Sequence, residues 1–378
     1  LCKVGLKEGM TSSGYCQPHL APVRAAFDRL FADGQEVGAA VAVSIDGAPA
    51  LHLWGGWRDK GRSVAWTADT LVPVYSTGKG VAAMGIASLV SDGTIRYDMP
   101  VGDLWPQFFA PQLTVAEVMS HQAGVPGLRG PFDPAQWYDW EAMIAAIESE
   151  TPFWMPGADQ GYHPVTFGFL AGKIARAATG RALGQIVHDR LCAPLNLDLW
   201  FGVPESEAVR SADMIRPTAA PDLGAITPER RAAFLEKWSS PAGRGGDVWR
   251  ASDLPAVNMH TTADSLAHVF SGLACGGVVD GQTILSTEAL AGLTMERTRK
   301  PDRVLPYTLS WGAGVLRNTL GFYGPNPDAV GHSGWGGSCV FADPAQRLSF
   351  AYVMNKQSNK LLGDDRPRAL IAALYDCL

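Results

Sequence analysis

The chain reads as an α/β protein of the α+β kind, in which strands from both termini share one layer and a mostly helical region is inserted between them. Three observations predict this. Residues 38–56, GAAVAVSIDGAPALHLWGG, read as a strand, an Asp46-Gly47 turn and a second strand. Near the other end, SCVFADP and RLSFAYVMNK read as two further strands, joined around Asp343-Pro344. Between them, residues 81–200 carry mainly helical patterns, broken at Pro100, Pro106, Pro126, Pro156 and Pro194.

In chain order, LAPVRAAFDRLFAD (residues 20–33) places Val23, Ala26, Phe27, Leu30 and Phe31 on one helical face. After the first strand pair comes LVPVYSTGKGVAAMGIASLVSDG (71–93). From Val81 to Val90 this segment has almost no polar face, which predicts a helix buried all round, ended by Gly93. VTFGFLAGKIARAATG predicts a helix ending at Gly180, and ALGQIVHDRLCAPL another that stops before Pro194. Residues 201–258 are irregular and proline-rich, with GRGGD at 243–247. Within them only PERRAAFLEKW reads as a helix, with Thr227 as N-cap and Pro228 at the first position. Such a stretch in a compact protein is a lid or binding loop, or else a mobile insertion. TTADSLAHVFSGLAC reads as a helix, WGAGVLRN as a strand, and DRPRALIAALYDCL as a closing amphipathic helix. The expected division is an α/β part from residues 10–70 and 285–378, and a mostly helical part from 71–284.

The 378 residues are 47% hydrophobic and only 18% charged, enough to bury a large core. The net charge of −6 and the absence of a dense Lys/Arg run give no reason to expect nucleic acid as a partner. No apolar run reaches bilayer-crossing length, so no membrane partner is expected. Six scattered cysteines without a CxxC pair read as reduced thiols. Met10 reads as a native start and residues 1–9 as an extraneous leader. With no signal peptide after Met10, a cytoplasmic location is expected. No H-E-x-x-H, paired metal ligands or phosphate-binding glycine loop occurs, so neither metal nor cofactor is expected.

The chemistry lies in Ser76-Thr77-Gly78-Lys79. Residues i and i+3 share a helix face, so the Ser76 hydroxyl and the Lys79 amine can meet. Ser76 opens the helix, where free N–H groups and the dipole favour a developing oxyanion. A lysine inside an apolar helix needs a partner. Desolvated, it has a lowered pKa and can act as a base beside an activated serine. Alone, this spacing also fits an N-cap serine beside a snorkelling lysine.

In context the chain resembles the serine β-lactamases of class C, the penicillin-binding peptidases and their esterase relatives, closest to the family VIII carboxylesterases. The resemblance covers nearly everything after Met10; DGTIRYDMPVGDLWPQF, LTVAEVMSHQAGVPGL and TTADSLAHVFSGLACGGVVDG are similar to the family's intervening landmarks. It implies a central antiparallel sheet flanked by N- and C-terminal helices. The family's tyrosine, usually in Tyr-x-Asn, matches Tyr162 of Tyr162-His163-Pro164, with Pro164 in the asparagine position. A nearby lysine charge would favour its phenolate, which could accept the Ser76 proton. The family's Lys-Thr-Gly matches His332-Ser333-Gly334 on a strand beside the nucleophile, with the backbone N–H of Trp335 joining that of Ser76 as oxyanion donors. The lost lysine and asparagine imply a less anionic substrate than a β-lactam or peptide. The alternative for His332 is a strand histidine bonded to backbone.

GHSGW resembles the G-x-S-x-G nucleophile turn, but Trp335 stands where the last glycine belongs, so Ser333 is not taken as the nucleophile. Trp154, Trp238, Trp249, Trp311 and Trp335 fall near the expected site and could line an apolar pocket or simply anchor core and loops. The resulting expectation is a serine hydrolase that cleaves small-molecule esters through an acyl-enzyme on Ser76. Lys79 and Tyr162 share the proton work, with the formal base left open. The alternatives are a β-lactamase or D-Ala-D-Ala peptidase (weak β-lactam hydrolysis included), an acyltransferase to an alcohol, and a non-catalytic ligand-binding relative.

Overall fold

The computed structural model describes residues 12–378. The assignments made for residues 1–9 and Met10 lie outside the described residues. A nine-stranded antiparallel sheet runs through the protein. Its strands are β1 (Ser13–Cys16), β2 (Gly38–Ile45), β3 (Ala48–Gly56), β4 (Thr298–Pro301), β5 (Thr308–Trp311), β6 (Leu316–Arg317), β7 (Val330–Ser333), β8 (Cys339–Asp343) and β9 (Leu348–Met354). The spatial order is β1-β3-β2-β9-β8-β7-β6-β5-β4. Strands from the two ends of the chain therefore meet at β2 and β9, which pair from Leu348↔Ile45 to Met354↔Ala39. The β2–β3 hairpin turns through Asp46 (φ 54°) and Gly47 (φ 79°), the two left-handed residues a tight hairpin needs.

The α-helical segments of eight residues or more among the described residues are α1 (Ala21–Ala32), α2 (Gly78–Ser91), α3 (Trp140–Ser149), α4 (Thr166–Thr179), α5 (Ala263–Ala274), α6 (Thr287–Thr294) and α7 (Asp365–Tyr375). Both faces of the sheet are covered. Alternate residues Ala39, Val41, Val43, Phe341, Phe350 and Tyr352 pack with α1 and α7. The intervening Ala40, Ala42, Val340, Ala351 and Val353 face α5 and the helical core around α2. Small side chains on that second face let α5 lie close, and the Ser349 hydroxyl donates to the Ala267 carbonyl at 2.7 Å. α2 is buried from Gly78 to Leu89, as its all-apolar sequence predicts, and Gly93 (φ 77°) follows its end. α4 ends on left-handed Gly180, again as predicted.

Three expectations need correction. WGAGVLRN is not one strand: β5 ends at Trp311 and β6 starts at Leu316, because the chain loops through Gly312-Ala313-Gly314 with Gly314 at φ 100°. The helix after Ala182 does not stop before Pro194; a π-helical turn at His188–Cys192 carries it through the proline to Asn196, which is left-handed at φ 49°. Residues 92–139 are less helical than expected, with only short helical segments between Val101 and Tyr138; the one at Val115–Met119 ends at Ser120, before left-handed His121 (φ 65°).

Candidate active site

Ser76 sits in a single 3-10 turn, Tyr75–Thr77, that runs directly into α2. The residue before it, Tyr75, is held at φ 48°, a left-handed conformation costly for a bulky side chain. Nothing in the residue pattern announces this. It is enforced by packing: Tyr75 is wedged between Trp249 and Trp335, with ring centroids 5.9 Å away on either side. The turn is also pinned to the loop after β7. The Thr77 hydroxyl pairs with that of Ser338 at 3.0 Å, and Ser338 Oγ donates to the Val74 carbonyl at 2.9 Å.

Lys79 is fully buried. Its Nζ lies 3.0 Å from Ser76 Oγ, 2.8 Å from the Pro164 carbonyl oxygen and 2.9 Å from that of Ala256. Burial holds its pKa well below the ordinary lysine range. The predicted partner for the buried amine is thus a set of three. Two of them are backbone carbonyls, which no residue-type pattern could reveal. Pro164, in the position expected for asparagine, serves Lys79 through its main chain.

Tyr162 is buried, and its ring lies beside the amine, with Lys79 Nζ 4.9 Å from the ring centroid. Its hydroxyl has no well-formed hydrogen bond among the described residues, but it faces Ser76 closely enough for that hydroxyl to oppose the effect of burial. Burial dominates and raises the phenol pKa well above its usual 10. The expectation of a favoured phenolate is therefore reversed: removing water costs the anion more than its neighbours return.

Behind Tyr162 stands a supporting layer that sequence reasoning missed. Asp302 Oδ1 accepts the N–H groups of Tyr162 (2.9 Å), Val304 (2.9 Å) and Leu305 (2.8 Å). An aspartate capping the N–H groups two and three residues on is a turn signal, and D-R-V-L at 302–305 offered it. His121 and His163 stack at 5.5 Å, and His121 meets the Tyr162 ring edge-on at 5.0 Å. His163 donates from Nδ1 to the Gly161 carbonyl at 2.7 Å and accepts the Val125 N–H on Nε2 at 3.1 Å, which fixes a neutral tautomer.

On the facing side, β7 and the residue after it bring His332, Ser333 and Gly334 past the turn that carries Ser76. His332 Nδ1 lies 2.9 Å from the Ser333 carbonyl, so it is a strand histidine bonded to backbone, yet it also lines the cavity. Burial and then the Lys79 charge push its pKa down to about 3. The Ser333 hydroxyl pairs with that of Tyr323 at 3.0 Å, away from the Ser76–Lys79 pair. Gly334 leaves no room for a side chain, because a Cβ there would strike the Val74 carbonyl, the Ser338 hydroxyl and Thr77. The chain then turns through Trp335-Gly336-Gly337, where φ of 95° and 127° explains the paired glycines. Among the described residues no acceptor takes the N–H of Ser76 or of Trp335.

These groups open onto a cavity of about 480 Å³, walled by Ser76, Tyr162, His332, Ser333, Trp311 and Trp335. Most of its remaining wall comes from the irregular stretch, from Arg216 to Val257. Of the five tryptophans singled out, Trp311 and Trp335 line this cavity and Trp249 lines an adjoining one. Trp154 instead packs on His163, and Trp238 donates to the Leu128 carbonyl at 3.0 Å. Among the described residues no helix is long and apolar enough to cross a membrane, and no three metal-ligating side chains converge.

The beta-lactamase family model matches residues 23–374. The chain is 33% identical to "Esterase/beta-lactamase LipL" of Mycobacterium tuberculosis, across 96% of this chain and 87% of that protein. Among solved structures it resembles a penicillin-binding protein homolog from Caulobacter crescentus, with TM-score 0.94 and 46% identity over 97% of this chain and all of that one. It also resembles a family VIII carboxylesterase, with TM-score 0.91 and 38% identity over the same shares.

Proposed function

The chain belongs to the beta-lactamase family, and from that premise we propose that it is a serine hydrolase that cleaves carboxylic esters through an acyl-enzyme on Ser76. The observation that carries the mechanism is the threefold environment of Lys79 Nζ. A neutral amine has two N–H donors and one lone pair. The Pro164 and Ala256 carbonyls take the two donors, which turns the lone pair toward the Ser76 hydroxyl. Lys79 is then the base, and Tyr162, kept neutral by burial, is a proton donor rather than an acceptor.

Ser76 Oγ attacks the ester carbonyl as its proton passes to Lys79. The Ser76 and Trp335 N–H groups receive the oxyanion. Collapse breaks the bond to the alcohol, whose oxygen takes the proton back from Lys79 through the Tyr162 hydroxyl. Water, deprotonated by the same amine, releases the acid and restores Ser76. The alkyl-rich cavity, with Leu305, Leu361, Leu362 and Phe234 in its wall, suits an apolar acyl or alcohol group. The shared nucleophile also supports a weak β-lactam activity, in keeping with the double name of the Mycobacterium tuberculosis relative. The test is hydrolysis of short and medium p-nitrophenyl esters and of nitrocefin, side by side, by wild type and Ser76→Ala. Esters should be turned over faster than nitrocefin, with a Ser76-bound acyl group detectable by mass. Equal rates for the two proteins would remove the mechanism.

A further inference from the structure

Behind the wall formed by Tyr75 and Trp335, a second chamber of about 290 Å³ adjoins the catalytic cavity. Arg216 and Arg244 border both spaces. Among the described residues neither arginine donates a hydrogen bond or forms an ion pair; Arg244 only rests its guanidinium over the Trp335 ring, 5.2 Å from the centroid. Trp249 and Trp335 also border the chamber, and their indole N–H groups are buried without an acceptor among the described residues.

Arg216 is exposed and Arg244 half-buried, so both guanidinium groups stay charged at the border of the two spaces, and two such forks without a carboxylate partner fit an oxyanion. Burial weighs against the Arg244 cation, the Arg216 charge adds to that effect, and no carboxylate is among the groups that offset it. The chamber's own acid, Asp213, is exposed, and its third arginine, Arg250, is already held by Asp247 at 2.9 Å. Arg244 is the arginine of the GRGGD stretch, to which the ester chemistry assigns no role. Gly243 and Gly245, at φ of 61° and 89°, shape the turn that carries it.

We infer that this chamber holds the carboxylate, or an equivalent oxyanion, of an anionic ester whose carbonyl is presented to Ser76, with Arg216 and Arg244 as its specificity-determining residues. The inference rests on the ester-hydrolase reading of Ser76. It moves the positive charge that Lys-Thr-Gly would supply from β7, where His332 stands, to the segment that carries Arg216 and Arg244, and so reverses the expectation of a less anionic substrate.

The test compares mono-4-nitrophenyl adipate with its methyl ester, which differ by one charge. Wild type should prefer the acid in kcat/KM, and in R216Q/R244Q that preference should fall about ten- to a hundredfold, the range for lost hydrogen bonds to a charged group. A preference unchanged within about twofold, or a wild type that disfavours the acid, overturns the inference while leaving the ester-hydrolase reading intact. If neither ester is turned over, that reading has failed, and binding decides the anion site. Monomethyl adipate and inorganic phosphate are each titrated into the Ser76→Ala protein, followed by tryptophan fluorescence. Saturable binding by either, lost in S76A/R216Q/R244Q, supports the site, and the tighter ligand names the oxyanion. No binding by either, or binding indifferent to the arginines, overturns it.

Discussion

Replacing Gly334 by alanine should separate the two halves of the active site. A Cβ at this position would fall 2.8 Å from Thr77 Oγ1 and closer still to the Val74 carbonyl oxygen and Ser338 Oγ. The hydroxyls can rotate, but the Val74 carbonyl cannot, since it is part of the main chain that leads into Ser76. The end of β7 and the nucleophile turn must then part by about 1 Å, and a misplacement of about that size costs roughly a hundredfold in rate. The overpacking itself should cost about 1–3 kcal/mol of stability. On the proposed role of the Trp335 N–H as an oxyanion donor, which acts only as charge develops, the loss should appear in kcat more than in KM. The assay is steady-state hydrolysis of a p-nitrophenyl ester beside a thermal melt. A folded G334A protein with wild-type kcat would refute the proposal that the Trp335 N–H, just beyond β7, is an oxyanion donor.

Activity should fall on the acid side as Lys79 takes up a proton: burial lowers its pKa, so the amine is neutral above that value and catalysis is lost as pH drops through it. His332, pushed down to about 3, does not set this limb, and a kcat/KM profile of H332Q should keep the wild-type midpoint. Lys79→Met should lower kcat/KM by about a hundred- to ten-thousandfold at every pH, the usual share of a general base; p-nitrophenyl ester kinetics measure it. Asp302→Ala strands three buried N–H groups and should destabilise by about 3 kcal/mol, seen in a denaturant titration, with loss of kcat. Asp302→Asn, whose carbonyl oxygen can keep those bonds, should retain most of both. Arg366 binds Glu36 at 2.7 Å, Asp364 at 3.0 Å and the Gly336 carbonyl at 2.6 Å, so it braces the Trp335–Gly337 turn. Arg366→Met leaves two buried carboxylates without their cation and should cost about 3–5 kcal/mol in the same titration.

Much of the fold was legible because it is written in local periodicity. The β2–β3 hairpin has alternation and an Asp-Gly turn, α2 has an unbroken apolar run, and α4 has its terminal glycine. Reading failed where local signals were outvoted. The strand expected through WGAGVLRN gave way to a glycine loop, and Pro194 was absorbed by a π-helical turn that no propensity rule favours. At the site, Ser76 and Lys79 were legible because helical geometry alone brings them together, and Tyr162 and the β7 residues because they match motifs. The carbonyls that orient the amine were not, since every residue has one.

From its residues alone the chain determined which groups can react: a serine and a lysine one helical turn apart at the head of an apolar helix, in a protein large enough to bury them. Tertiary structure decided their states. Only packing from segments 85 and 177 residues distant along the chain could put Pro164 and Ala256 carbonyls on the Lys79 amine, strip water from Tyr162 until it holds its proton, and leave Arg216 and Arg244 facing a cavity without a partner among the described residues. Desolvation and hydrogen-bond partners are properties of what lies nearby in space, and sequence neighbours do not specify them.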